Sequence, residues 1–246
     1  MANLCDWNCF DLIILCAQEK IIMTDKNSRT AYGIMGLVLV CCLMMAFIET
    51  VIEPAYAVKS GTKAAVFLLL PLLFSKVAKI KLFDRSFVLD QKDIIKLLAL
   101  GALIYGIILG GYALTADIFD YASLVRSLSA DQKVDNNSFI WVALYISFGN
   151  SFLEEFLFRY VSFLQLTKYA SRKTAYLFSS AAFAVYHIAM LAASFPLPLL
   201  LLVLIGLAAG GLIFDYVDEK GGTIYNSWII HMFADFAIMT IWYLHI

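Results

Sequence analysis

The chain has 246 residues, of which 62% are hydrophobic and only 15% charged, and its formal net charge is -1. A soluble domain has about 45–50% apolar residues, so this composition predicts an integral membrane protein. The near-zero net charge offers no argument for a nucleic-acid partner, and we expect none. The cysteines match neither paired metal-ligand spacing nor an even disulfide framework; they are Cys5, Cys9, Cys16, Cys41 and Cys42.

The amino-terminal residues 1–29 are predicted to form a tail that could include an interfacial helix. Asp6, Asp11 and Glu19 interrupt its short apolar segment. A secretory signal peptide needs an uninterrupted apolar stretch after a basic start. We therefore predict that this tail is not a signal peptide.

The rest of the chain is dominated by long apolar runs. A helix needs about 20 apolar residues to cross a bilayer core, and about seven runs meet this length. The sequence therefore predicts an all-α fold, a polytopic transmembrane helical bundle with a buried polar cavity and no soluble domain. The predicted spans lie near 30–52, 63–82, 94–118, 138–167, 174–194, 197–216 and 223–245.

The connections between the spans differ in charge. Cytoplasmic loops of membrane proteins are enriched in Lys and Arg, which places the second and fourth connections, and with them the amino terminus, on the cytoplasmic side. The third connection, near residues 119–137, is acidic and is predicted to be an extracytoplasmic polar loop. The basic residues are Lys76, Lys79, Lys81, Arg85, Lys92 and Lys96 in the second connection, and Lys168, Arg172 and Lys173 in the fourth.

Two glycine pairs have the spacing that allows close helix packing. They are Gly106 with Gly110 and Gly206 with Gly210. Small residues four positions apart let helix backbones approach each other. We expect these pairs to pack within the bundle, and we assign them no chemistry.

Three ionisable residues interrupt the fourth span. Glu154, Glu155 and Arg159 lie among Phe, Leu and Val residues, where each charge costs about 2.5–3.5 kcal/mol on insertion scales. Residues four apart share a helix face, so Glu155 and Arg159 are predicted to form an ion pair. Glu154 points about 100° away and is predicted to remain unpaired and available.

Further polar residues lie in the fifth and seventh spans, namely His187, His231 and Asp235. At about 1.5 Å per helical residue, Glu154 and His187 each lie about 21 Å from their cytoplasmic anchors, and His231 about 16 Å. These side chains are therefore predicted to meet at a similar depth. Asp235, one turn from His231, could orient its imidazole or join it in binding an ion.

This set of residues is suited to activating water. A carboxylate and imidazoles can remove a proton from water, with or without a metal that lowers the pKa of that water. The candidate metal ligands are Glu154, His187, His231 and Asp235, and a divalent ion such as zinc is the metal considered. A second His or a positive group can stabilise the oxyanion formed at an amide.

The three motifs, taken in order, resemble the CPBP family of intramembrane proteases, also called the Abi or CAAX-protease-like family. The motifs are Glu154-Glu155-x-x-x-Arg159, Phe183-x-x-x-His187 and His231-x-x-x-Asp235. The resemblance covers residues 137–246, which would be the catalytic core. Residues 30–136 would hold the amino-terminal transmembrane helices and the extracytoplasmic loop.

The resemblance implies hydrolysis of peptide bonds in membrane-associated or lipidated peptides, within a multi-pass protein of the cell membrane. Glu154 and His187 would activate water, Glu155 and Arg159 would support the site, and His231 and Asp235 would hold the oxyanion or complete a metal site. The prenyl-endopeptidase branch prefers Asn where this chain has Asp235. An ionised Asp cannot donate a hydrogen bond to an oxyanion.

Other functions use different residue patterns. The zinc-protease motif His-Glu-x-x-His and the aspartyl motif Gly-x-Gly-Asp are absent from the sequence. A serine mechanism would need Ser151 with His187 or His231 as its base. The main alternatives are a non-catalytic membrane adaptor or immunity protein, and an ion-coupled transporter, that retains the buried polar site.

Overall fold

A computed structural model describes residues 9–79, 93–134 and 137–245, with side chains described from residue 27 onward. Every regular element within these ranges is helical, and they contain no strand. The prediction of an all-α polytopic bundle is therefore confirmed.

The helices follow one another with short connections. Helix α1 spans Cys9–Phe47 and continues into a π-helical turn, Ile48–Ile52. Helices α2, α3 and α4 span Tyr56–Ala78, Ile94–Thr115 and Tyr121–Gln132. Helix α6 spans Arg172–Tyr186 and resumes after His187 as Ile188–Leu191, α7 spans Leu197–Gly221 and α8 spans Tyr225–Tyr243.

Helix α5 is a composite of several helical forms. Its α-helical segments, Phe139–Leu144 and Ser151–Glu154, alternate with the π-helical segments Tyr145–Asn150 and Glu155–Gln165. It ends in a 3₁₀ turn, Leu166–Lys168. Stretches of π-helix within a helix are rare and occur frequently at functional sites.

Among the described residues, 5 helices are long and apolar enough to cross a membrane. The remaining two predicted spans correspond to α5 and α8, the helices that carry most of the ionisable motif residues. The five are Asn27–Ile52, Tyr56–Ala78, Ile94–Thr115, Arg172–Leu191 and Leu197–Gly221.

The predicted polar connection near residues 119–137 contains helix α4. Asp120 caps this helix, because its side chain accepts a hydrogen bond from the backbone N–H of Ser123 at 2.9 Å. Leu124 and Val125 are buried. The cap and these apolar residues explain why a segment of mixed polarity folds into an amphipathic helix.

Two sequence predictions concern residues that are only partly described. Residues 1–8 of the predicted tail lie outside the described residues, and α1 is continuous from Cys9 through Phe47. Of the basic residues in the second connection, Lys81, Arg85 and Lys92 also lie outside the described residues.

Helix α5 lies at the centre of the bundle. It packs against α1, α2, α6, α7 and α8. Its apolar side chains form much of the main core, with Leu157, Phe158, Tyr160 and Phe163 fully buried. Charged residues on α5 consequently lie inside protein, and they need protein partners in place of water.

The glycine pairs predicted to pack within the bundle do not do so. A Cβ atom placed at Gly106, Gly110, Gly206 or Gly210 would meet nothing within 4 Å among the described residues. The spacing favours close packing but does not determine which face of a helix is covered. The prediction of packing at these pairs is therefore wrong.

Close packing occurs instead at neighbouring glycines. A Cβ at Gly101 of α3 would lie 2.5 Å from the ring of Phe233 on α8. A Cβ at Gly211 of α7 would lie 3.0 Å from Cα and 3.1 Å from Oγ of Ser180 on α6. These contacts bring α3 against α8, and α7 against α6, which positions the helices that carry His231 and His187.

The contact at Gly211 predicts a difference between two substitutions in the same helix. We expect Gly211→Leu to destabilise the protein by about 1–3 kcal/mol, because the added side chain overlaps the α6 backbone. Gly206→Leu, at an exposed position of α7, introduces the same change without that overlap. Thermal unfolding in detergent measures both variants, and equal midpoints for the two would contradict the prediction.

Candidate active site

Glu154 is the centre of a buried polar cluster, with 3% of its surface exposed. Its Oε1 accepts hydrogen bonds from Lys63 Nζ at 2.5 Å and from Asn150 Nδ2 at 3.1 Å. Its Oε2 lies 3.8 Å from His187 Nε2 and 3.8 Å from His231 Nε2. The prediction that Glu154 is unpaired is wrong, because α2 places a lysine against it.

His187 lies at the break between the two segments of α6. Its Nδ1 is 2.8 Å from the backbone carbonyl of Phe183. A carbonyl only accepts hydrogen bonds, so Nδ1 carries the proton. In the neutral form of the ring, the lone pair of Nε2 therefore faces Glu154.

His231, on α8, is held by a carboxylate at its Nδ1 atom. Its Nδ1 lies 2.7 Å from Glu155 Oε1, and its Nε2 lies 3.7 Å from Asp235 Oδ1. Only the contact with Glu155 has hydrogen-bond length. The carboxylate that is hydrogen-bonded to His231 in this structure is therefore Glu155, while Asp235, for which orienting the ring is one of the predicted alternatives, lies beyond hydrogen-bond length.

The predicted ion pair between Glu155 and Arg159 is confirmed, with 3.2 Å between Glu155 Oε2 and Arg159 Nε. The guanidinium lies between two aromatic rings, 4.3 Å from the centroid of Phe183 and 5.1 Å from that of Phe214. A second carboxylate, Asp215 Oδ1, is 3.8 Å from Arg159 Nε. Arg159 thus connects Glu155, the carboxylate that holds His231, to aromatic side chains of α6 and α7.

Three polar residues of the cluster are not identified as site residues from the sequence. Lys63 lies at the predicted edge of the second span, Asn150 lies within the fourth span, and Asp215 lies near the end of the sixth span. The one available signal is an isolated charge within or next to an apolar run, which marks a functional position by default. That signal applies to Lys63 and Asp215.

The structure gives Ser151 partners other than a histidine. Its Oγ donates to the carbonyl of Ser147 at 2.6 Å and lies 3.1 Å from the Nε1 of Trp228, which donates to it. A serine nucleophile needs a base within hydrogen-bond reach. This geometry disfavours the serine mechanism.

The candidate metal ligands do not form a metal site in this structure. Within the described parts of the chain, no group of three or more His, Cys, Asp or Glu side chains is arranged to hold a metal ion. The Lys63 ammonium is 2.5 Å from Glu154, so a positive charge already neutralises the carboxylate at the centre of the predicted ligand set. A divalent cation bound to Glu154 would be repelled by that ammonium.

An apolar cavity of about 650 Å³ lies between α2 and α5. Leu153 and Ala64, which line it, are the chain neighbours of Glu154 and Lys63. The cavity therefore lies next to the polar cluster along both helices, although no residue of the cluster lines it. Its other lining residues are Tyr56, Ala57, Ser60, Gly61, Ser138, Trp141, Val142, Tyr145, Gly149 and Phe152.

Comparison with known proteins assigns a family to this part of the chain. Residues 136–237 match the family model "Rce1-like: Type II CAAX prenyl endopeptidase Rce1-like". The matched segment is less than half of the chain, and it contains all three motifs. This match supports the resemblance of the motifs to the CPBP, or CAAX-protease, family. No curated protein and no solved structure matches the chain significantly.

The position of Asp215 predicts a difference in stability between two charge-removing substitutions in α7. We expect Asp215→Asn to cost up to about 3 kcal/mol, because it removes one counter-charge of the fully buried Arg159. Glu219→Gln, one turn later, removes the partner of Arg172, whose side chain is 65% exposed. That exposed pair is worth about 0–1 kcal/mol. Thermal unfolding that ranks Glu219→Gln as the more damaging variant would contradict this assignment.

Proposed function

We propose that the protein is an intramembrane endopeptidase that hydrolyses peptide bonds of membrane-associated or lipidated peptides with water activated by Glu154 and His187. The observation that carries this proposal is the position of Glu154 Oε2, 3.8 Å from the Nε2 atoms of both His187 and His231. The Rce1-like match over residues 136–237 supports the same class of reaction.

The distances suit a water molecule held between these groups. A separation of 3.8 Å is too long for a direct hydrogen bond but allows one water to contact both polar atoms. The carboxylate can accept a proton from such a water, and the lone pair of His187 Nε2 can accept its second hydrogen bond. The hydroxide formed in this way attacks the carbonyl carbon of the peptide bond.

The tetrahedral intermediate that follows carries a negative charge on the former carbonyl oxygen. His231, when protonated, presents an Nε2–H that can donate to this oxyanion. Glu155 and Arg159 hold the ring in that orientation. The proton taken by Glu154 then passes to the amine nitrogen as the C–N bond breaks, so the reaction consumes one water and returns the carboxylate.

Asp235 has a different role in this proposal from the Asn of the prenyl-endopeptidase branch. Its Oδ1 lies 3.7 Å from His231 Nε2. An ionised Asp only accepts hydrogen bonds, and at this position it stabilises a positive charge on His231. We therefore assign the contact with the oxyanion to His231 and not to Asp235.

The surroundings of the cluster support an apolar substrate. The 650 Å³ cavity between α2 and α5 is lined mostly by apolar side chains. The outer surfaces of these two helices also expose large apolar side chains. A peptide carrying an apolar or lipid segment would lose less solvation free energy there than a polar peptide. Membrane lipids are the expected neighbours of the outer surface.

Substitution of the proposed water-activating residues tests the assignment. We expect Glu154→Gln and His187→Ala each to reduce cleavage of membrane-associated test peptides by about 100-fold or more, the contribution of a general base. Ser151→Ala should retain cleavage, because Ser151 contacts neither histidine. The measurement uses purified protein in liposomes and a panel of fluorogenic peptides with and without a lipid group.

Each outcome of this experiment separates the alternatives. Cleavage that persists in both Glu154→Gln and His187→Ala would reject the proposed site. Loss of cleavage in Ser151→Ala alone would favour the serine mechanism. A folded wild-type protein that cleaves none of the peptides would favour the adaptor or immunity role, or transport.

The same preparations test the role of metal. Because Lys63 already neutralises Glu154, we expect cleavage to persist in 1,10-phenanthroline and the purified protein to contain no stoichiometric zinc. Elemental analysis and a chelator titration measure this directly. Loss of cleavage in the chelator, restored by added zinc, would contradict the metal-independent proposal; His231→Ala and Asp235→Ala should then also lose the bound metal.

A further inference from the structure

Lys63 lies in α2, outside the segment that matches the protease family, and only 7% of its surface is exposed. Its Nζ is 2.5 Å from Glu154 Oε1 and 2.5 Å from Asn150 Oδ1. Asn150 in turn donates to the same Oε1 at 3.1 Å. Two side chains, one from α2 and one from α5, therefore converge on one oxygen of the proposed water-activating carboxylate.

These contacts leave the two oxygens of Glu154 with different surroundings. Oε1 receives two donors, whereas the contacts of Oε2 are the imidazoles at 3.8 Å. A carboxylate free to rotate would exchange these positions. The ion pair with Lys63 opposes that rotation and keeps Oε2 directed toward the histidines.

The lysine itself is held by its surroundings. Its ammonium lies 5.3 Å from the ring centroid of Phe67 and 5.0 Å from that of Tyr186, both within the range of cation–π attraction. Tyr186 immediately precedes His187 in α6. Lys63 thus contacts the helices that carry both proposed water-activating residues.

We propose that Lys63 is a positioning residue of the active site, which fixes the orientation of the Glu154 carboxylate for water activation. This inference rests on the proposed endopeptidase function. It extends the site to α2, so the family-matched segment alone lacks one of its charged groups. It also explains why a lysine is retained in the interior, where an unpaired ammonium would be strongly destabilising.

The chain contains a matched control in the same helix. Lys59 lies one turn before Lys63 and is 8% exposed. Its Nζ contacts Glu49 Oε1 at 2.8 Å and Gln132 Oε1 at 3.1 Å, and neither of these residues belongs to the proposed site. Lys59→Met therefore removes a buried ammonium and an ion pair without disturbing Glu154.

The test compares Lys63→Met, Lys63→Gln and Lys63→Arg with Lys59→Met in liposomes. We expect the two neutral Lys63 variants to lose about 100-fold in kcat, the scale of a small misplacement of reacting groups, with KM within about twofold of wild type. Lys63→Arg, which restores the positive charge, should recover part of kcat. Lys59→Met should keep the wild-type kcat. Thermal unfolding identifies the variants that are folded. If Lys63→Met does not fold, Lys63→Gln, which retains a donor for Oε1, provides the neutral variant for the test.

Two results would overturn the proposal. One is a folded, neutral Lys63 variant with wild-type kcat; the other is an equal loss of kcat in Lys59→Met, which would assign the effect to general destabilisation of α2. A failure of the endopeptidase function itself is distinguishable, because wild-type protein would then show no cleavage or Glu154→Gln would keep it.

Discussion

The structure depends on how charge is neutralised inside an apolar bundle. An isolated ionised group in a low-dielectric interior is strongly destabilising unless it is paired and hydrogen-bonded. Glu154 and Glu155 are adjacent on the central helix α5, and each is paired with a cation from a different direction. Helices α2, α6, α7 and α8 pack around α5, and each places a polar side chain close to the charged residues of α5.

This pairing separates the two glutamates into distinct environments. Lys63 and Asn150 surround one oxygen of Glu154, which leaves the other oxygen beside the imidazoles. Glu155 is shared between His231 and Arg159, so both of its oxygens face protein partners. These neighbours in sequence thus have different partners, because a step of about 100° per residue directs their side chains to different sides of α5.

The sequence predicts the parts of this arrangement that depend on local spacing. The ion pair between Glu155 and Arg159 follows from their separation by one helical turn. The helical bundle follows from the long apolar runs, and the ordered motifs identify the family. The contact of Lys63 with Glu154 joins residues 91 positions apart, and no periodicity in one sequence indicates which distant helix faces another. The same limit applies to Asp215, and to the glycines, where spacing predicts packing at Gly206 but contact occurs at Gly211.

The π-helical segment Glu155–Gln165 helps to determine which side chains of α5 face the bundle. A π-helical hydrogen bond joins residues five apart, whereas an α-helical bond joins residues four apart, so each such turn accommodates extra chain. If the same residues formed ordinary α-helix, the extra chain would not be absorbed, and the remainder of α5 would rotate relative to Glu154 by about 100° for each extra residue. The buried face of Phe158 and Phe163 would then turn toward lipid. The burial of this face thus depends on the helical form of α5 as well as on its apolar side chains.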